Sequence, residues 1–149
     1  METKAVREKI VCSGALFFTK NTHRCLLLQK SNGKHEGTWG LVGGTNITGE
    51  TPWQGLQREI EEEIGLVPDI KKTLPLEQFV SNDSVFNFHT YFCIVEEEFV
   101  PILSAEHDAW GWFDLNKLPR PVHSGLSLSL RNKVIQIKIQ TIIDLIDNL

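Results

Sequence analysis

The sequence predicts an α+β fold on a mixed sheet. Three observations predict it. Apolar segments of strand length come in runs, and short polar turns separate them. Only residues 52–64 and 126–149 carry a helical periodicity. With so few helices between the strands, hairpin connections outnumber crossovers, which favours α+β over a doubly wound sheet.

The elements follow in order. Residues 11–18 and 25–29 read as strands around the polar turn 19–24. Residues 31–37 form a polar, glycine-bearing loop, and 39–42 form a short apolar strand running into Gly43 and Gly44. Thr51 is placed as an N-cap, Pro52 as the first helical residue, and Gln54 completes a T-x-x-Q capping box. Gly65 is placed to end that helix. Residues 70–80 and 85–95 read as strands joined around Asn82 and Asp83, with Glu96 to Glu98 as a charged turn. Residues 109–113 form another strand, with Trp110 and Trp112 two apart on one face. Residues 126–149 read as a second long helix. Val134, Ile137, Ile142 and Ile146 give its apolar stripe, broadened by Ile135, Ile139, Ile143 and Leu145.

At 149 residues the chain is expected to be one domain, long enough for a core without staples. Apolar content of 41% and charged content of 23% are ordinary for a soluble globular protein. A net charge of −4 and the lack of a basic stripe argue against membrane or duplex nucleic acid as partner. An anionic substrate would need local positive charge, which metal ions can supply. The cysteines Cys12, Cys25 and Cys93 are odd in number and widely spaced, as expected of reduced thiols in a reducing compartment. The five histidines show no zinc-ligand spacing. The first ten residues contain no apolar leader, and no run approaches membrane-spanning length, so a cytoplasmic location is expected.

The helix at 52–64 states a chemistry. Trp53, Leu56, Ile60 and Ile64 form its apolar stripe, while Glu59, Glu62 and Glu63 cluster behind Arg58 on a neighbouring face. Like charges there repel, and a divalent cation would reverse the penalty, because Mg²⁺ and Mn²⁺ prefer carboxylate oxygens. A solvated acidic surface helix is the competing reading. Gly55 falls on the acidic face, where it is expected to leave room for something bulky such as a metal-bound phosphate.

Gly44, Glu50, Arg58, Glu59, Ile60, Glu62, Glu63, Gly65 and Leu66 fit G-x5-E-x7-R-E-U-x-E-E-x-G-U without a substitution (U is a bulky aliphatic). This resembles the Nudix box, the signature of the Nudix hydrolase superfamily. The resemblance implies an αβα sandwich, with the box as loop–helix–loop against a mixed sheet. It also implies Mg²⁺- or Mn²⁺-dependent hydrolysis of the diphosphate linkage in a nucleoside diphosphate joined to another group. Carried over by position, Glu62 and Glu63 would bind metal. Glu59 would bind metal, orient water or act as base, and Arg58 would hold a carboxylate in place. A backbone carbonyl at Gly43 or Gly44 would be a further ligand. Glu50 has two readings, a metal-linked one and a helix N-terminal charge.

Trp39 to Gly44 resembles the family's W-x-L-P-G-G entrance, with Val42 in place of proline. Lys30 lies where many members place an arginine and is a candidate phosphate contact, beside the plain reading of an exposed strand-end lysine. Ala105 to Asp108 resembles a segment that supplies a further ligand or base. There Glu106 would complete the metal shell and His107 would be a general base, against the reading of a polar loop. Residues 121–125 either approach a pocket or form a turn with Ser124 as helix cap.

Residues 80–84 carry neither the proline nor the tyrosine marker of the family's ADP-ribose and dinucleoside polyphosphate subgroups. A broad enzyme for ADP-ribose, dinucleoside polyphosphates or FAD-like compounds is the leading expectation. Pyrophosphate release from modified dNTPs comes next, with sugar nucleotides or capped RNA also open. A non-catalytic nucleotide-sensing domain is the alternative of another class, disfavoured because no box carboxylate is missing. A homodimer is compatible with the resemblance.

Overall fold

The computed structural model describes residues 8–148. Seven strands form one sheet: β1 (Ile10–Thr19), β2 (Cys25–Lys30), β3 (Trp39–Gly40), β4 (Val42–Thr45), β5 (Ile70–Val80), β6 (Phe86–Val95) and β7 (His107–Phe113). The helices are α1 (Pro52–Ile64), α2 (Ser124–Arg131) and α3 (Lys133–Ile146). The strand path is β3-β2-β1-β6-β5, with β4 paired to β1 and β7 to β2. β1 and β6 run parallel and every other pair is antiparallel, so the sheet is mixed.

Helices cover both faces. Side chains alternate along a strand, so Ala15 and Phe17 of β1 pack with Leu56, Ile60 and Ile64 of α1. Leu16 and Phe18 point the other way and pack with Ile135, Ile139 and Ile146 of α3. A strand covered on both sides reads as a continuous apolar run, which is why β1 is buried from Ser13 to Thr19. The expected αβα sandwich is what the chain forms. No helix among the described residues is long and apolar enough to cross a membrane.

Four expectations need correction. The strand expected at 39–42 is two short strands, because β3 pairs with β2 while β4 has moved over to β1. β7 starts at His107 rather than at 109, and its two tryptophans differ in burial: Trp112 is in the core while Trp110 is exposed.

The helix expected from 126 to the end of the chain is α2 and α3, broken at Asn132; Leu149 lies outside the described residues. Asn132 is extended (φ −73°, ψ 124°), and its Oδ1 accepts from the N–H groups of Val134 and Ile135. A residue that caps well competes with its own helix interior. The phase of α3 also differs from the expected stripe. Ile135, Ile139 and Ile146 are buried, whereas Val134, Ile137 and Leu145 are exposed. Apolar residues surround this helix, so periodicity alone did not determine which side faces the sheet.

The fourth correction concerns α2, whose N-cap is His123 and not Ser124. The His123 Nδ1 accepts from the Gly125 N–H at 3.1 Å.

Candidate active site

The local signals place α1 as expected. Thr51 Oγ1 accepts from the Gln54 N–H, Gln54 Oε1 accepts from the Thr51 N–H, and Gly65 ends the helix at φ 66°. This anchored helix carries its carboxylates to three different environments. Glu63 is 2% exposed, Glu59 is mostly buried, and Glu62 is solvated.

Glu63 is the centre. Its Oε1 accepts from the Gly43 N–H at 3.0 Å. Its Oε2 lies 3.2 Å from His107 Nδ1, and both atoms are buried with no hydrogen-bond partner among the described residues. Burial pushes the Glu63 carboxyl up to about 8, with the nearby charges of Glu59 and Glu106 adding to the rise. Burial also lowers the His107 pKa. Both groups are therefore driven toward their neutral forms. Glu106, on the approach to β7, brings a carboxylate oxygen to the same point. The ligand atoms of Glu63, Glu106 and His107 all lie within 4.8 Å of one another.

A register shift positions His107. β2 and β7 pair regularly from Cys25↔Phe113 to Gln29↔Ala109, then shift so that Lys30 lies opposite His107. The extra residue is a β-bulge, which re-aims a side chain, here onto the face that carries Lys30 and meets α1. Lys30 is half-buried, and its charge opposes the rise at Glu63 and adds to the fall at His107. No side-chain hydrogen bond or ion pair engages its Nζ among the described residues.

Arg58 organises the rim. Its Nε and Nη2 donate to the two oxygens of Glu50 at 2.9 and 3.1 Å. Its Nη1 reaches Glu59 at 3.0 Å and Glu62 at 3.2 Å, and Nη2 also donates to the Thr45 carbonyl. Glu50 is thus tied to Arg58 and to the Ile47 N–H. Burial raises the Glu59 pKa against the opposing pull of Arg58.

The glycines make this approach geometrically feasible. A Cβ on Gly43 would sit 2.0 Å from the Ser13 carbonyl oxygen, and one on Gly44 would sit 2.6 Å from the Glu59 carboxyl carbon. In an antiparallel ladder the N–H and C=O of a residue point to the same edge. The Gly43 N–H is given to Glu63 and not to β1, so its carbonyl faces the site as well. Gly55 is different: a Cβ there would lie 2.2 Å from Asn46 Oδ1. The space expected for a metal-bound phosphate is filled by Asn46, whose Nδ2 donates to the Thr51 carbonyl.

The donor set fits a hard divalent cation. A buried carboxylate oxygen and an imidazole nitrogen face each other without a hydrogen bond, with further carboxylates at hand. Leaving such atoms unpaired is costly, and a cation held by oxygen ligands relieves it. The structure brings together Glu63, Glu106 and His107, with the Gly43 N–H on Glu63, while Glu59 and Lys30 act on Glu63 through their charges. Glu62 stays at the rim, shared with Arg58. Spacing gave no sign of the Glu63–His107 contact, because its members come from α1 and β7. Sequence reasoning also passed over His35, whose ring lies 4.2 Å from that of His123.

A family model for the NUDIX domain matches residues 10–132. Nudix hydrolase 7 of Arabidopsis thaliana is 38% identical over 71 residues, 46% of this chain and 25% of that protein. Dihydroneopterin triphosphate diphosphatase of Haemophilus influenzae is 28% identical over 117 residues, 68% of this chain and 72% of that one. ADP-ribose pyrophosphatase of Methanocaldococcus jannaschii is 32% identical over 103 residues, 66% and 59%. The chain therefore spans a quarter of the length of the first of these relatives and 59% of the third. A crystal structure of a MutT NUDIX hydrolase from Burkholderia pseudomallei superposes with a TM-score of 0.64 at 25% identity, covering 83% of this chain and 97% of that one. With the family match spanning most of its length and an unbroken box helix against a mixed sheet, the chain belongs to the Nudix superfamily.

Proposed function

We propose that this protein hydrolyses the diphosphate linkage of nucleoside diphosphate derivatives with the help of Mg²⁺ or Mn²⁺. One observation carries the reading: a buried, unpartnered carboxylate oxygen of Glu63 facing His107 Nδ1, with Glu106 converging on them. Glu59, Glu63, Glu106 and the Gly43 carbonyl would hold the metal, with Glu62 as the additional carboxylate at the rim. Bound there, a divalent cation polarises phosphate oxygens and lowers the pKa of the attacking water.

The chain's own residues do the remaining work. The Gly43 N–H fixes one oxygen of Glu63, so the other keeps its aim. Arg58 holds the rotamer of Glu59 through Nη1, and Glu50 holds Arg58 by its paired contacts. Lys30 offers an ammonium group to phosphate oxygens. Burial keeps His107 neutral at neutral pH, the form a general base needs. Glu59 is the second group able to take that proton, since burial raises its pKa.

ADP-ribose is the leading substrate, supported by the relative named for it. A pterin or nucleoside triphosphate is the second reading, supported by the diphosphatase relative. Incubation with Mg²⁺ and a panel of both classes separates them by product. AMP and ribose 5-phosphate from ADP-ribose support the first, and pyrophosphate from a triphosphate supports the second. Binding without product from any member of the panel overturns hydrolysis and leaves a nucleotide sensor.

A further inference from the structure

A second cluster of titratable groups joins two histidines from distant segments. His35 comes from the loop after β2. That loop is pinned at both ends, because the Lys30 N–H donates to the Thr38 carbonyl and the Gly37 N–H to the Lys30 carbonyl. His123 comes from the segment before α2. It is pinned through Trp39, since the His123 N–H donates to the Trp39 carbonyl while the Trp39 N–H donates to Pro121. The two imidazole rings stand 4.2 Å apart, tilted by 50°. Gly40 lies against His123, since a Cβ there would be in van der Waals contact with the Cβ of His123 at 3.5 Å.

Three features give this cluster a chemistry. The tautomer of His123 is set: Nδ1 accepts from the Gly125 N–H, so Nε2 carries the proton. The charges that act on His123 are those of His35 and Lys30, and both are basic. Lys30 is common to both clusters, its charge acting on Glu63 and His107 and also on His123. Acidic groups thus come from α1 and the approach to β7, and basic ones from the end of β2 and two loops. No hydrogen-bond acceptor among the described residues engages His123 Nε2, the His35 ring or the Lys30 Nζ, and a multiply charged anion would supply one. A cation would need a third ligand, and the one such group among the described residues is Glu63, Glu106 and His107.

We propose that His35 and His123, with Lys30, form an anion subsite that receives the phosphoryl group not under attack. It binds oxygens that the metal does not hold, and it selects for substrates with at least two linked phosphates. This deepens the hydrolase reading by naming where the remote phosphate sits, and it rests on that reading only for the word substrate.

The experiment uses neither metal nor turnover. Inorganic pyrophosphate is titrated into the 149-residue chain in EDTA, and the imidazole signals of all five histidines are followed by ¹H–¹³C NMR. Saturable shifts at His35 and His123 are expected. His123→Asn keeps an acceptor for the Gly125 N–H, so the helix cap survives, but it removes the Nε2 donor. His35→Phe keeps a ring in the stack and removes the donor. Each, and Lys30→Met, should weaken pyrophosphate binding by about tenfold, on the scale of one charge-assisted hydrogen bond. Lys71→Met removes the same charge from the exposed start of β5 and should leave binding unchanged. Binding that is equal in wild type and His123→Asn, or shifts that miss both rings, overturns the subsite. Failure of hydrolysis on the substrate panel, alongside intact pyrophosphate binding here, overturns the enzyme reading alone.

Discussion

Replacing Glu63 with glutamine should make the metal-free protein more stable while removing most of its turnover. The sign follows from burial. The folded carboxyl is pushed up to about 8 from an ordinary value of 4.5. A group whose folded pKa is raised contributes stability that is complete below the unfolded value and is lost as pH rises through the folded one. At pH ~7 the unfolded carboxyl has released its proton and the folded one keeps it, a cost of ~3 kcal/mol from the linkage relation. Glutamine avoids that cost and keeps an oxygen for the Gly43 N–H. For a chain of this size ~3 kcal/mol corresponds to a rise in Tm of roughly 6–12 °C. Thermal melts in EDTA from about pH 4 to about pH 9 read the effect. The two proteins should nearly coincide at the acid end and separate steadily above it. Saturating Mg²⁺ should raise the Tm of wild type and leave the variant almost unmoved. Turnover of the variant should fall by about a hundredfold or more, as for loss of a metal ligand. A stability gap that does not widen with pH refutes the burial argument. A variant with wild-type kcat at saturating Mg²⁺ refutes the ligand assignment.

Further consequences concern the scaffold. Gly55→Ala in an ordinary helix would gain about 1 kcal/mol. Here the new methyl meets Asn46, so a loss of about 1–3 kcal/mol is expected by denaturant melt, and Asn46→Ala in the same chain should recover part of it. Asn132→Ala removes the acceptor for two N–H groups of α3 and should cost about 1 kcal/mol, read in the same way. Arg24 holds the Glu98 carboxyl below its usual range. A group with a depressed folded pKa contributes stability above its unfolded value and loses it as pH falls through the folded one. Glu98→Gln should therefore destabilise the protein at neutral pH, with the difference closing in acid.

Much of this was legible because it is local. Thr51, Gln54 and Gly65 bound α1 through contacts within four residues of each other, and the apolar stripe named the buried face. The apolar run of β1 was readable as a strand, and the fold adds that it is buried on both sides. The unreadable parts depend on contacts between distant segments. Glu63 and His107 meet only because a bulge in β7 turns one residue, and no spacing encodes that. Gly55 signalled that something is close by, and only the fold shows that it is Asn46. Glu59, Glu62 and Glu63 of α1 look alike in sequence. Their different depths, from solvated Glu62 to buried Glu63, are set by β4 and β7. The phase of α3 was hidden because apolar residues surround it.

The central claim is that Glu59, Glu63 and Glu106, beside His107, form a divalent-cation site. Electron paramagnetic resonance of Mn²⁺ titrated into the metal-free protein tests it most directly. The account predicts that the free-ion signal is quenched stoichiometrically by wild type, far less by Glu63→Gln, and that Mg²⁺ restores it by competition. A free-ion signal that persists at millimolar protein, or that Glu63→Gln quenches as well as wild type does, contradicts it.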